Sequence, residues 1–451
     1  MLSKKRPDGL LIGVDEKVSY PKAIALGLQH VLAMDLYIAP IIVAGLLSLS
    51  TENTSFFVQM CFLATGLATL IQTGFGLKLP VVQGPSYVPI GAIAAIGGKL
   101  GLGAIAGSLI PGAIMIALLG YPLKVFAKTV RKIVPPIVGG TVIIIVGIAL
   151  MPVGLNNIYF AEGTIGQNVA IASISAGVLV TCMVLGKRLP RFGSFFRLVS
   201  VILAIVAGSI AASFYYPIDF TPVKEAAWFS LPTLLPFGKP VFDMGAILTM
   251  MLVYLIILLE TTGTWFVVST ITEEELDEKR LNRASFGEGL GCFVGSLFGS
   301  TPLTGYSSNA GLLAITGVGS RMVIMASGFI LVLLGFIPKL SAIIICIPES
   351  VINGIFGIVC VAIVTNGMKI IQPIIIDDRN MIVIGVPILL TIAVTVLPKE
   401  VLATVPNWAN YLLSSGISVG ALATVILNLI IPVDRNLGQK QIQTEQSNDT
   451  I

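Results

Sequence analysis

The sequence predicts an all-α membrane protein that crosses the bilayer roughly fourteen times. Of its 451 residues, 55% are apolar and 11% are charged, and the mean hydropathy is +0.96. This composition excludes both a soluble globular protein and a disordered chain. Apolar runs of about 20 residues, the length that spans a bilayer, recur from end to end. Two of these runs are broken by Pro and Gly at matching ranks, which is typical of an internal repeat.

The spans lie between two polar tails, 1–22 and 433–451. The first apolar run begins near Ala23; it is too long for the core of a signal peptide and has no small-residue cleavage site after it. We therefore expect it to be the first span. The fourteen predicted spans are 23–48, 56–73, 81–97, 102–121, 134–151, 168–185, 198–214, 243–270, 287–299, 303–317, 322–338, 341–366, 381–397 and 413–432.

The distribution of Lys and Arg predicts that both termini face the cytoplasm. An even number of spans puts the tails on one side, and they hold seven of the 27 basic residues. The even-numbered loops hold fifteen more, whereas the odd-numbered loops hold five. Because cytoplasmic loops collect Lys and Arg, the tails and the even loops are expected to be cytoplasmic, with the protein in the cell membrane.

Spans three and ten are unlike the others. Span three begins LPVVQGPSYVPIGA and span ten begins STPLTGYSSNAG, with Gly, Pro and hydroxyl residues where a continuous helix favours Leu, Ile or Ala. Each is the third span of its half. Since seven is odd, the second half would enter the membrane from the opposite side, as an inverted repeat. Two unrelated proline kinks are the alternative reading. Paired interrupted spans indicate a central binding site.

The strongest candidate for a residue that binds solute or exchanges a proton is Glu260, which lies inside span eight with no Lys or Arg nearby. An acid at this depth is costly, can gain and lose a proton as its surroundings change, and can accept ring N–H donors. Thr264 lies one turn further on the same helix face. The structural alternative is an acid bonded to hydroxyls for packing alone.

The interrupted spans supply further polar candidates. A half-helix that begins in mid-membrane directs free backbone N–H groups and its positive dipole end into a cavity. Tyr87 could form a stacking wall there, although capping alone also explains the hydroxyls. The candidates are Ser86 and Tyr87 in span three and Ser307, Ser308 and Asn309 in span ten.

Other polar residues within the spans are ambiguous. Asp35 lies near the middle of span one, and His30 is favoured as an interhelical hydrogen-bonding group over a proton relay. Glu288 is expected to be structural, because Gly-rich span nine predicts a close-packing surface. The charged run from Glu273 to Arg283 is expected to be a solvated loop without a catalytic role. The five cysteines have no paired spacing, so no metal cluster or disulfide framework is predicted.

Six ordered segments carry a family resemblance over nearly the whole chain. They are GLQHVLAM, LPVVQGPSY, PPIVGGTVIIIVGIALM, ETTGTW, GEGLGCFVGSLFGSTPLTGYSSNAGLLAITGVGSR and IPESVINGIFGIVCVAIVTNGMKII. On these segments the chain resembles the nucleobase-ascorbate transporter family, which includes uracil, xanthine, urate and ascorbate permeases. The ETTG form and the DEKRL that follows favour the xanthine and urate branch.

The resemblance implies a fourteen-span fold in a 7+7 inverted repeat, with short strands leading into half-helices at spans three and ten. It also implies a core domain (23–121 and 243–338), a gate domain (134–214 and 341–432), a homodimer and symport with protons. The family's span-eight acid falls on Glu260, its signature asparagine on Asn309, and its glutamine–histidine pair on Gln29 and His30.

Two positions depart from the family pattern. Thr264 stands where purine permeases have an acid and uracil permeases a histidine. Ser308 stands where xanthine and urate carriers have glutamine and uracil carriers glutamate. A short hydroxyl cannot make the paired donor and acceptor contact that an amide makes with a purine edge. Asp35, where the family usually has no acid, is a hypothetical substitute contact.

The sequence therefore predicts a proton-coupled symporter that imports a nucleobase, an oxidised purine such as xanthine or urate. The alternatives are a carrier of uracil or another small planar or anionic solute, an anion transporter not coupled to protons, or a channel. The sequence shows no metal ligand set and no nucleophile with an adjacent base, so we expect neither an enzyme nor a cofactor. A nucleic-acid partner is not expected either. The predicted substrate-binding residues are Glu260, Thr264, Ser86, Tyr87, Ser307, Ser308 and Asn309, and the predicted proton-coupling residues are Glu260, Asp35 and His30.

Overall fold

A computed structural model describes residues 10–32, 34–133, 135–189, 193–398, 413 and 415–432. The predicted C-terminal tail and residues 1–9 of the N-terminal tail lie outside these ranges. The elements of the first half are α1 (Tyr20–Leu32), α2 (Ile38–Leu46), α3 (Thr51–Gly74), β1 (Gln83–Pro85), α4 (Ile90–Leu100), α5 (Leu102–Gly120), α6 (Phe126–Ile133), α7 (Pro136–Phe160), α8 (Ile165–Arg188), α9 (Gly193–Ser213) and α10 (Thr221–Glu225).

The second half begins with the longest described helix, which carries Glu260. Its elements are α11 (Met244–Thr272), α12 (Glu278–Leu297), β2 (Leu303–Gly305), α13 (Ser307–Thr316), α14 (Arg321–Leu334), α15 (Pro338–Ile345), α16 (Glu349–Ile371), α17 (Asp378–Thr395) and α18 (Gly416–Ile430).

Seven of the described helices are long and apolar enough to cross a membrane by themselves: α3, α5, α7, α8, α11, α16 and α17. The pair α14 and α15 reaches the required length only together, with a bend of 86° between them. Each of the fourteen predicted spans overlaps at least one helix. The protein is thus a mostly helical, multi-pass membrane protein, whereas the count of fourteen and the inverted repeat stay predictions.

Span one is broken, although the sequence predicted one continuous span over 23–48. Helix α1 ends at Leu32 and α2 begins at Ile38, so Asp35 lies in the connection. The Ile38 N–H donates to the Asp35 carbonyl at 3.1 Å. Pro40 is in the first turn of α2, where its missing N–H costs no intrahelical hydrogen bond. The apolar character of the run conceals this break.

Two other predicted boundaries were wrong. Span nine begins at Glu278 rather than at 287, so the second half of the supposed loop from Glu273 to Arg283 is helical. Its start is fixed by Asp277, whose carboxylate accepts the Arg280 N–H at 2.6 Å. Span twelve begins at Glu349 rather than at 341, because α15 is a separate helix.

The two interrupted spans meet through their strands, as expected from the family resemblance. Strands β1 and β2 are antiparallel, with Gln83 opposite Gly305 and Pro85 opposite Leu303. All six strand residues are buried. The Gly305 N–H also donates to the Thr261 hydroxyl of α11 at 2.9 Å. Broken backbone at this depth is therefore satisfied within the protein, as a bilayer requires.

The helices fall into two groups that pack mainly among themselves. In one group, α12 packs on α3 and α5, α14 packs on α1 and α3, and α11 packs on α5. In the other, α16 packs on α7, α8 and α9, and α17 packs on α7 and α18. Strands β1 and β2 contact α3, α11 and α12, so they belong to the first group.

Span nine forms the close-packing surface that its glycines predicted. A Cβ added at Gly291 would lie 2.8 Å from the Cβ of Ala68 on α3, and one at Gly289 would overlap the backbone of Ala117 on α5. Small residues permit such approach between membrane helices. The hydrogen bond from Gln72 Nε2 to Glu288 Oε2, 2.8 Å long, lies in the same α3–α12 contact.

The N-terminal segment Leu10–Glu16 lies along the connection between α13 and α14. The Leu11 N–H donates to the Gly317 carbonyl at 2.7 Å, and the Arg321 N–H donates to the Val14 carbonyl at 2.9 Å. The Arg321 guanidinium donates from Nε to the Thr73 carbonyl and from Nη2 to the Gly74 carbonyl, both at 3.0 Å. It therefore joins this connection to the carboxyl end of α3, where a cation is favourable.

We expect Arg321→Ala to destabilise the protein clearly, because the two carbonyls at the end of α3 lose a charged donor. Hydrogen bonds to charged groups contribute about 1.5–3 kcal/mol each. Asp15→Asn is the matched control. Its carboxylate is 76% exposed beside Arg321 Nη1, and such surface pairs contribute at most about 1 kcal/mol. Thermal unfolding in detergent would measure both, and equal losses would refute the assigned role of the α3 contact.

We also expect Gly84→Ala to destabilise the strand pair. The added Cβ would overlap the Tyr306 ring and lie 2.7 Å from Leu36 Cδ2, in a buried strand that cannot yield. Overpacking of this kind costs about 1–3 kcal/mol. Gly98→Ala is the control, because Gly98 is exposed near the end of α4 and a Cβ there meets nothing within 4 Å. A lower unfolding midpoint is expected for Gly84→Ala alone; an unchanged midpoint would contradict the packing argument.

Candidate functional site

A cavity of about 410 Å³ lies between the interrupted spans and α16. The first helix group supplies the polar end of its lining, and the second group supplies a mostly apolar wall. The first set of lining residues is Asp35, Tyr87, Glu260, Thr304, Gly305, Tyr306, Ser307, Ser308, Gly311 and Leu312. The second set is Leu179, Met183, Ser200, Val201, Ile358, Val359, Val361, Ala362, Ile363, Thr365, Asn366 and Lys369.

Glu260 lies at the polar end, near the middle of α11. The Ser86 hydroxyl donates to Glu260 Oε2 at 3.1 Å. The Ser86 N–H in turn donates to the Pro302 carbonyl at 2.9 Å, so the residue that holds the carboxylate is itself held by span ten. Thr304, the central residue of β2, lines the cavity beside this pair. One carboxylate thus joins both interrupted spans to α11.

Asp35 is the second carboxylate of the cavity, and the break in span one places it there. It is 7% exposed, and the Tyr87 hydroxyl donates to its Oδ2 at 2.5 Å. Within the described residues, the structure records no salt bridge for Asp35 or Glu260. Ser86 and Tyr87 are consecutive, with Cα atoms about 3.8 Å apart, so one dipeptide holds both carboxyl groups.

The amino end of α13 also faces the cavity. Its N-cap residue Tyr306 contributes no capping hydrogen bond, so the first N–H groups are not capped by a side chain. Ser307 and Ser308 line the cavity at this end. An uncapped helix start carries a partial positive charge of about half a unit and free donors for an acceptor group. The half-helix of span three, α4, contributes no residue to the described lining, and span three reaches the cavity through Tyr87 instead.

Aromatic rings form one side of the polar end. The Tyr87 ring lies 5.6 Å from that of Phe356 on α16 and 6.5 Å from that of Tyr306, both between centroids. The Tyr306 hydroxyl donates to the Pro85 carbonyl at 3.1 Å. The two tyrosine rings line the cavity and can contact a planar solute, whereas Phe356 supports Tyr87 from α16.

Four predicted site residues do not line the cavity: Ser86, which contacts Glu260 from behind the lining, and Asn309, His30 and Thr264. Asn309 is fully buried, and its Nδ2 donates to the Pro80 carbonyl at 2.8 Å, so it joins α13 to the entry of span three. His30 is also fully buried, with Nδ1 placed 2.9 Å from the Leu26 carbonyl of its own helix. Thr264 is buried within α11. Glu288 lies outside the lining as well.

Sequence reasoning missed the wall contributed by α8, α9 and α16. Most of its residues are apolar and resemble any lipid-facing or packed position. Asn366 and Lys369 could have been noticed as polar residues one turn apart near the end of an apolar helix.

Comparison with known proteins places the chain in a family. The model described as "Permease family" (Xan_ur_permease) matches residues 21–400. The chain is 35% identical over 438 residues to the nucleobase transporter PlUacP of Paenibacillus larvae subsp. larvae, covering 95% of this chain and 98% of the relative. It is 33% identical to the uric acid permease PucK of Bacillus subtilis, covering 89% and 94%.

Solved structures share the fold at low sequence identity. The transmembrane domain of the cyanobacterial bicarbonate transporter BicA aligns with a TM-score of 0.63 and 15% identity, covering 85% of this chain and 98% of that domain. The structure of SLC26A9 aligns with a TM-score of 0.59 and 15% identity, covering 90% and 65%. The chain belongs to the permease family that its sequence resembled, and it is a multi-pass membrane transporter rather than an enzyme.

Proposed function

We propose that the protein is a proton-coupled symporter that imports a nucleobase, an oxidised purine such as xanthine or urate. The observation that carries this proposal is the cavity that Glu260 and the uncapped start of α13 both line. Relatives of 35%, 33% and 31% identity are a nucleobase transporter, a uric acid permease and a xanthine permease.

The polar end suits a planar ring with donors on one edge and carbonyls on another. The Glu260 carboxylate would accept ring N–H groups, while Ser307, Ser308 and the first N–H groups of α13 would donate to carbonyl oxygens. Tyr87 and Tyr306 would contact the ring faces. Ser86 would orient Glu260. A cavity of about 410 Å³ falls within the range of small-molecule sites.

Besides Ser86, the three other predicted residues outside the lining keep proposed roles. Asn309 would act indirectly, because its bond to the Pro80 carbonyl fixes α13 relative to span three. Thr264 would support the face of α11 one turn from Glu260. His30 would contribute to proton coupling from within α1, on the same broken span as Asp35.

The proposed cycle moves a core domain against a gate domain, within a fourteen-span 7+7 inverted repeat. The two helix groups support this division. Met183, near the end of α8, and exposed Lys369, near the end of α16, mark the mouth of the cavity. With cytoplasmic termini, both helix ends are cytoplasmic, so this conformation would be open to the inside. We further propose a homodimer in the cell membrane.

Proton coupling is proposed because Glu260 contacts the cavity and is inside the membrane. A carboxyl that binds solute in one protonation state and releases it in the other can link two fluxes. His30 and Asp35 complete the proposed proton-coupling set.

A second candidate function is anion transport without proton coupling, and the likeness to BicA and SLC26A9 favours it. That likeness concerns the fold, at 15% identity. An anion carrier would use the start of α13 and would not need Glu260. The two carboxyl groups in the cavity favour the nucleobase symporter over this candidate.

We expect Glu260→Gln to abolish nucleobase accumulation driven by a proton gradient, because an amide keeps the shape of the side chain and cannot titrate. Glu52→Gln is the matched control, since Glu52 is exposed in the first turn of α3. Uptake into proteoliposomes with and without a pH gradient would measure this. Accumulation by Glu260→Gln with the wild-type pH dependence would favour the anion transporter.

We expect nucleobases to raise the unfolding temperature of the purified protein, because a ligand that binds only the folded state stabilises it. The gain is about 2.7 kcal/mol at a ligand concentration of 100 Kd. A panel of purines, pyrimidines, ascorbate and bicarbonate in detergent would identify the class. Stabilisation by bicarbonate alone would refute the nucleobase proposal.

A further inference from the structure

We infer that α6 and the residues just before it form a binding site for the headgroups of anionic phospholipids. Helix α6 (Phe126–Ile133) lies in the connection between α5 and α7, which the distribution of Lys and Arg predicts to be cytoplasmic. The lipid would therefore belong to the cytoplasmic leaflet. The inference goes beyond the proposed function and does not depend on which solute the protein carries.

The connection is strongly basic. Its sequence from 121 to 135, YPLKVFAKTVRKIVP, contains four basic residues and no Asp or Glu. Among the described ion pairs, neither Lys124 nor Lys128 has a carboxylate partner. The Lys124 ammonium lies 5.6 Å from the centroid of the Tyr121 ring. Lys and Arg close to a membrane surface are attracted to anionic lipids, so this segment complements their charge.

The basic positions of α6 lie on the side that faces away from the protein. Phe126, Ala127 and Val130 are buried, whereas Lys128 is exposed. Positions 131 and 132, which are Arg and Lys in the sequence, come three and four residues after Lys128 and share its side of the helix. Helix α6 is therefore amphipathic, with a packed apolar side and a basic side opposite to it.

Exposed apolar side chains stand next to these charges. Leu123 is 59% exposed and Val125 is 41% exposed, one on either side of Lys124. This combination suits the boundary between headgroups and acyl chains, because the apolar side chains contact the acyl chains while the ammonium reaches the phosphate. A free phosphate ion would leave Leu123 and Val125 without an apolar partner. The occupant that fits both features is a phospholipid.

Contacts with two other helices hold α6 in this orientation. The Ala127 N–H donates to Asn282 Oδ1 of α12 at 2.9 Å. The Phe126 ring meets the Trp265 ring of α11 edge to face, with 6.2 Å between centroids. Helix α5 belongs to the first helix group and α7 to the second, so α6 lies in a chain connection between the two groups. A headgroup bound here would contact a segment that joins the parts that move in the proposed cycle.

The test measures how short-chain phospholipids stabilise the purified full-length protein in a nonionic detergent. A ligand that binds only the folded state raises the unfolding temperature, and the concentration dependence gives an apparent Kd. The probe is dihexanoyl phosphatidylglycerol. Dihexanoyl phosphatidylcholine has the same chains without net charge, and inorganic phosphate has the charge without chains. We expect phosphatidylglycerol to stabilise the protein at concentrations at which the other two have little effect.

The double variant Lys124→Gln, Lys128→Gln should raise the apparent Kd for phosphatidylglycerol about fivefold or more, because a single lysine near an anionic surface contributes about that factor. Leu123→Ser should raise it severalfold while leaving every charge in place. Lys239→Gln is the matched control, because Lys239 is exposed in a loop that is expected on the opposite side of the membrane. It should keep the wild-type response.

Equal stabilisation by phosphatidylcholine would overturn the inference, because the acyl chains alone would then account for binding. Equal stabilisation by inorganic phosphate would also overturn it, since the site would then bind a free anion. An unchanged apparent Kd in the double variant would remove α6 as the site. If the double variant does not fold, Lys128→Gln alone, at an exposed position, makes the same comparison.

Discussion

The arrangement depends on one constraint, that backbone N–H and C=O groups at membrane depth must find partners inside the protein. Spans three and ten are both broken there, and each satisfies the other through β1 and β2. The bond from the Ser86 N–H to the Pro302 carbonyl extends this pairing beyond the strands. Without the partner strand, either break would leave several groups unpaired in hydrocarbon.

The same pairing builds the site. A cavity-lining tyrosine closely follows each strand in the sequence: Tyr87 lies two residues after the end of β1, and Tyr306 directly follows β2. The Gly305 N–H on the Thr261 hydroxyl fixes the strands to α11, one residue from Glu260. The backbone pairing of β1 with β2 therefore brings a carboxylate, a helix start and two aromatic rings to the same cavity.

The close approach of the supporting helices follows from small residues on α12. Gly291 contacts Ala68 on α3, and Gly289 contacts Ala117 on α5, with no space for larger side chains. This contact brings α3 against the strands, where the Thr69 hydroxyl accepts the Gln83 N–H at 2.9 Å. The glycines of α12 thereby determine the position of strand β1, because α3 lies between them and the strand.

Several features of the site and of its supporting helices were predictable from the sequence, because each depends on a residue type that is unexpected in its surroundings. Glu260 in an apolar run, the Pro and Gly residues of the broken spans and the glycines of span nine each indicated their role. The break beside Asp35 was not predictable, because the flanking residues are apolar and Pro40 is also tolerated in membrane helices. The start of α12 was hidden by its charges, which are usual in loops and equally usual in a helical first turn.

The α16 wall was not predictable for a different reason. Its contact with the polar end is long-range, and nothing near Phe356 in the sequence indicates Tyr87, about 270 positions earlier.

The contact between Tyr87 and Phe356 also has a consequence for the proposed cycle. Ser86 and Tyr87 hold both carboxyls through bonds within the first helix group, whereas the Tyr87–Phe356 contact crosses to the second. A movement between the groups would change the aromatic contact and leave both hydrogen bonds intact. The solute could thus keep its polar partners while the wall beside it moves, which is what alternating access around a fixed site requires.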